Sequence, residues 1–107
     1  LLNALPKISG INSKYLPKMY MQHAKIYMEE GLLVEAMQKS EEAFELHPVS
    51  IIIFEQAIML SRHGMYDEAL GYMDYAIALE KDSYRITASN LPVYFRYKEE
   101  IERLALK

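Results

Sequence analysis

The chain has 107 residues, 51% hydrophobic and 25% charged, a balance that fits one packed domain and excludes a disordered segment. The net charge of -3 is uneven: residues 1–28 sum to +4 with no acid, residues 29–82 to -9, and residues 83–107 to +2. A nucleic-acid binder needs a clustered basic face, so the acidic middle excludes that class and reads as solvated helix surface.

Cysteine is absent, so there is no disulfide framework, zinc ribbon or redox pair, and the compartment stays open on that count. The longest uncharged apolar stretch, residues 46–54, falls far short of the ~18 residues a spanning helix needs, and no membrane span is expected in this chain. The chain begins at Leu1 without a charged leader, which predicts a piece of a longer protein whose targeting signal or anchor lies outside it.

Residues 1–16 contain Pro6, Gly10 and Asn12-Ser13, too much punctuation for a long helix, and read as a lead-in. A first helix is predicted over 17–30, where Tyr20, Ala24, Tyr27 and Met28 fall at helical spacing before Gly31. The second, over 33–46, repeats the period through Ala36, Met37, Ser40, Ala43 and Phe44 and stops at His47-Pro48. Residues 49–62 begin with a β-branched run that by itself reads as a strand. Helix is predicted there, because an offset of 33 residues places Ile53, Ala57 and Leu60 where Tyr20, Ala24 and Tyr27 stand. A second apolar stripe, Ile51, Phe54 and Ile58, makes this third helix the central one. After Gly64 comes a fourth helix over 66–81. Asn90-Leu91-Pro92 then reads as the cap and first turn of a fifth helix with the apolar stripe Val93, Tyr97, Ile101 and Leu104.

The same offset pairs Gly31 with Gly64, Glu35 with Glu68, Ala36 with Ala69, Ala43 with Ala76 and Leu46 with Leu79. A fixed period of this size is the mark of a stacked helical repeat. Ala24 with Ala36, and Ala57 with Ala69, are expected where antiparallel helices cross, since only a small side chain permits the closest approach.

Nothing in the chain matches a nucleotide-binding, nucleophile-elbow or metalloprotease motif. His23, His47 and His63 lack the spacing of metal ligands. His23 is expected inside the first hairpin, and His63 at the last carbonyls of the third helix. The pairs Glu29-Glu30, Glu41-Glu42 and Glu99-Glu100 are sequence neighbours that point to different helix faces. No catalytic residue, metal ligand or cofactor is expected.

Tyr20, Ala24, Tyr27, Gly31, Glu35, Ala36, Ala43, Leu46 and Pro48, with Ala57, Gly64, Tyr66, Asp67, Glu68, Ala69, Ala76 and Leu79 in the second copy, resemble a tetratricopeptide repeat. The resemblance implies an all-α fold of two antiparallel hairpins, residues 17–48 and 49–82, followed by a linker and capping helix over 83–107. It departs from the family's period of about 34 residues, and at His23, Ser40 and Lys81. It also implies a non-catalytic module that binds a peptide, a protein or a neighbouring domain through the first helix of each hairpin. Those positions are Lys18, Met21, Lys25, Met28 and Glu29, then Ile51, Phe54, Ile58, Ser61 and Arg62. With few cations there, a clamp for a terminal carboxylate is not expected, whereas Met21, Met28 and Phe54 suit a helix-in-groove partner. The competing reading has the fifth helix folding back to cover Ile51, Phe54 and Ile58, and the cap is predicted on that basis.

From residue 47 to 107 the order of proline, apolar helix, Gly and Glu-Ala hairpin, Leu-Pro and Glu-rich final helix is similar to the soluble C-terminal tail of bacterial O-antigen ligases and O-oligosaccharyltransferases. That resemblance implies a periplasmic accessory domain on a membrane glycan transferase, with a glycan acceptor as an alternative partner and the chemistry elsewhere in the parent.

Overall fold

The computed structural model describes residues 16–83 and 89–107. Apart from Leu16 the lead-in lies outside the described residues, as do positions 84–88 of the linker. The fold is all-α, with helices α1 (Leu16–Glu29), α2 (Leu33–Leu46), α3 (Ser50–Arg62), α4 (Tyr66–Asp82) and α5 (Leu91–Ala105), and no strand among the described residues. Two compact units divide the chain, Leu1–Pro48 and Val49–Lys107. In the first, α1 packs along α2; in the second, α3 packs along α4 and α4 along α5.

Both α1–α2 and α3–α4 turn on a left-handed glycine, Gly31 at φ +78° and Gly64 at φ +74°. The main-chain bonds are the same in each. Leu32 N–H donates to the Tyr27 carbonyl at 2.8 Å and Gly31 N–H to Met28 at 3.0 Å; Met65 N–H donates to Leu60 at 3.0 Å and Gly64 N–H to Ser61 at 3.1 Å. This pairing of a six-to-one bond with a five-to-two bond is the Schellman cap, which closes the orphan carbonyls of a helix end and needs a residue without Cβ at its left-handed position. Every donor and acceptor in the second turn lies 33 residues after its counterpart in the first.

Ala24, Ala36, Ala57 and Ala69, expected at helix crossings, are all fully buried, as are Ala43 and Ala76. In the first unit Lys39 Nζ sits 5.3 Å from the centre of the Tyr20 ring and 3.4 Å from Glu42 Oε2. The buried hydroxyl of Ser40 donates to the Met37 carbonyl of its own helix at 2.8 Å, so a polar residue is accommodated on an apolar seam. His23, expected inside the hairpin, is instead exposed. It directly precedes the buried Ala24, and a step of about 100° around the helix carries it off the seam.

The run Ser50-Ile51-Ile52-Ile53-Phe54 is helical, and seven of the thirteen residues of α3 are buried. Strand propensities differ by only about 1 kcal/mol. Burying Ile52, Ile53, Met59 and Leu60 contributes about 1.5–3 kcal/mol for each side chain, so packing decides. The second buried stripe corrects the expected one: Ile52, Gln56 and Met59 turn inward, whereas Ile51 is 41% exposed and Phe54 and Ile58 are half-buried. Three successive isoleucines give hydropathy no means of choosing among faces a third of a turn apart.

Helix α5 also differs from its expected stripe. Tyr94 and Ile101 are its buried residues, Val93 is half-buried, and Tyr97 and Leu104 stay exposed. Nor does Asn90 cap it with its side chain. The Ser89 hydroxyl accepts from Leu91 N–H at 3.1 Å, and the Asn90 main chain has a different partner.

Candidate interaction surfaces

The candidate residues on α1 are separated by three and four positions, which puts Lys18, Met21, Lys25 and Met28 on one stripe with Glu29 beside it. Lys18, Lys25 and Glu29 are exposed, and Met21 and Met28 are half-buried. In the second unit Ile51, Phe54, Ile58 and Arg62 form the corresponding stripe of α3, with Ile51 and Arg62 exposed. Ser61, beside it, donates its hydroxyl to the Ile58 carbonyl at 2.8 Å. His63 Nδ1 lies 3.3 Å from the Met59 carbonyl, as its place at the helix end predicts.

Phe54 is engaged by α5. Its ring stacks on Tyr94 with centroids 4.7 Å apart and meets Tyr97 edge to face at 5.1 Å. The fifth helix therefore covers Phe54 and leaves Ile51 at the rim.

Sequence reasoning missed the polar centre beneath this contact. Ser50 Oγ donates to Glu80 Oε1 at 2.7 Å and lies 2.9 Å from the Tyr94 hydroxyl. The other oxygen, Oε2, accepts from the Asn90 N–H at 2.7 Å. Ser50, Glu80 and Tyr94 are all buried, and no buried side-chain nitrogen or oxygen among the described residues lacks a hydrogen-bond partner. The legible signal was Glu80 itself. Ala69, Met73, Ala76 and Glu80 follow a single seam of α4, and a carboxylate on such a seam needs internal donors.

At the edge of the α4–α5 contact Lys98 Nζ lies 2.9 Å from Asp74 Oδ1. Its hydrogen bond to Asp74 raises the ammonium above its ordinary value, against a smaller desolvation effect. Lys81 Nζ is 5.9 Å from the Phe95 ring centre. Among the described residues no cluster of three or more His, Asp or Glu is placed to hold a metal ion, and no helix is long and apolar enough to cross a membrane. Compared with protein-family models, curated proteins and solved structures, the chain matches none.

Proposed function

We propose that the chain is a non-catalytic interaction module of the tetratricopeptide type, part of a longer protein, that docks a peptide, a protein or a neighbouring domain. The observation that carries this reading is the recurrence of one main-chain turn at a 33-residue interval, with buried alanines on both sides of it. A repeat built this way presents the first helix of each pair as a recognition surface. Here α1 provides the half-buried, adaptable Met21 and Met28 beside Lys18, Lys25 and Glu29, and α3 provides the exposed Ile51 and Arg62.

Photocrosslinking in the parent protein tests the reading. A benzophenone amino acid placed at Met21, Lys25 or Ile51 is expected to capture a polypeptide, and the same group at Glu45 or Glu68 is expected to capture none. Equal capture at all five positions, or none anywhere, removes it.

A second reading has its own support. The compact unit Val49–Lys107 nearly coincides with the stretch that resembles the tail of O-antigen ligases and O-oligosaccharyltransferases. As such a tail the module would lie in the bacterial periplasm and help position a glycan acceptor or hold a dimer. A parent chain with many spanning helices before this segment favours that assignment; further 33-residue repeats in their place count against it.

A further inference from the structure

We propose that α5 is a displaceable strap, and that the surface beneath it on α3 and α4 is a receiving site for an amphipathic helix that offers a tyrosine and, seven residues later, an aliphatic side chain. In the resting chain α5 fills this site itself. The inference shares Phe54 with the α3 stripe of the reading above, and its test follows displacement of α5, which can succeed or fail whatever the crosslinking experiment captures.

Three observations carry it. First, α5 is lightly held: two of its fifteen residues, Tyr94 and Ile101, are buried, against seven of thirteen in α3. Phe95, Tyr97 and Leu104 remain 38 to 43% exposed on the bound helix. Few buried contacts and much solvent-facing surface are the marks of an element that opens without global unfolding.

Second, the receiving side belongs to other helices. Ser50 and Phe54 are on α3 and Glu80 is on α4, and these two helices pack on each other. The groups that hold Tyr94 therefore stay in place when α5 leaves.

Third, the recognition chemistry is specific. The Tyr94 ring stacks on Phe54 while its hydroxyl meets Ser50 at 2.9 Å. Four residues earlier the Asn90 N–H reaches Glu80 at 2.7 Å. The site favours a ligand that supplies this hydroxyl, because without it Ser50 keeps its bond to Glu80 and loses its second partner. Lys98, one turn beyond Tyr94, adds a cation for Asp74 on the rim. The matching partner helix thus begins with an available backbone N–H, carries tyrosine at its fifth position, and follows with a cation and an aliphatic residue on the same face.

A fluorescent peptide of residues 89–107 is titrated by anisotropy into the intact chain and into the intact-length Tyr94→Ala chain, which loosens the strap and keeps Ser50, Phe54 and Glu80. The peptide is expected to bind the variant at least about tenfold more tightly than the wild type, and a peptide carrying Tyr94→Phe to bind about fivefold more weakly than the unmodified one. Native-state hydrogen exchange of the wild-type chain is the companion measurement and needs no variant. The α5 amides are expected to exchange by an opening that leaves α3 and α4 protected. If α5 exchanges only together with α3 and α4, or the peptide binds the folded variant no better than the wild type, the proposal is overturned. If the variant does not fold, the exchange result alone decides.

Discussion

Single residues carry much of this architecture, and the glycines separate two effects that sequence alone confounds. A Cβ at Gly64 would meet no atom within 4 Å, so the cost of Gly64→Ala is the left-handed backbone at φ +74° and not a clash. The variant is expected to lose about 1 kcal/mol, read as a drop of several degrees in thermal midpoint. Gly71 lies within α4, also with open space around it and no left-handed φ. There Gly71→Ala is expected to stabilise by about 0.5–1 kcal/mol, because alanine loses less backbone entropy in a helix. Ala69 has no exposed surface, and Ala69→Leu is expected to overpack its surroundings and cost about 1–3 kcal/mol by denaturant titration. An unchanged midpoint would move the α3–α4 crossing away from it.

At the scale of elements the polar centre decides how α5 sits. Tyr94→Phe keeps the stack on Phe54 and removes the hydroxyl facing Ser50, a loss of about 1 kcal/mol. Glu80→Ala leaves the Asn90 N–H without its acceptor, and Ser50 without one of its partners. A loss of about 3 kcal/mol is expected, and urea unfolding of the two variants should rank them in this order. The Lys98–Asp74 pair lies at the surface, with Lys98 half-buried and Asp74 exposed, so Lys98→Met is expected to cost under about 1 kcal/mol at neutral pH. Because the folded state raises Lys98 above 10.5, its contribution is complete below that value and disappears as pH climbs through the raised one. Unfolding curves of wild type and variant should therefore converge at strongly alkaline pH. Helices were legible in the sequence because periodicity, the two glycines and Pro48 bound them. Their inner faces were less so. Hydropathy assigns Ser50 and Glu80 to the surface; the place of Glu80 on the seam of Ala69, Met73 and Ala76 was the one cue, and its partners become visible only once a serine at one helix start and a tyrosine in a third helix are brought to it.

Across the whole molecule the two units differ in what they bury. Among the described residues of the first, the buried apolar ones are Leu16, Pro17, Ala24, Ala36 and Ala43; in the second they include Ile52, Ile53, Met59, Leu60, Met73, Ile77, Tyr94 and Ile101. Alanine adds little apolar area, and short segments with small cores are marginal alone. Residues 49–107 expressed as a fragment are therefore expected to keep a helical circular-dichroism spectrum with a cooperative melt, and residues 16–48 to be largely unfolded. A folded first fragment with an unfolded second would reverse this order. The 33-residue period that made the turns legible said nothing of this asymmetry, since the repeat fixes where small residues fall and leaves the large ones to vary.

Main-chain atoms close both turns, so their specification reduces to one missing methyl group at Gly31 and one at Gly64. The three residues before each glycine, Met28-Glu29-Glu30 and Ser61-Arg62-His63, share no side-chain type and still make the same backbone bonds. Substitutions at these corners can therefore alter the stripes that carry Met28, Glu29, Ser61 and Arg62 without shifting a helix. Recognition chemistry and helix placement are thus set by different atoms of the same residues, side chain for the one and main chain for the other.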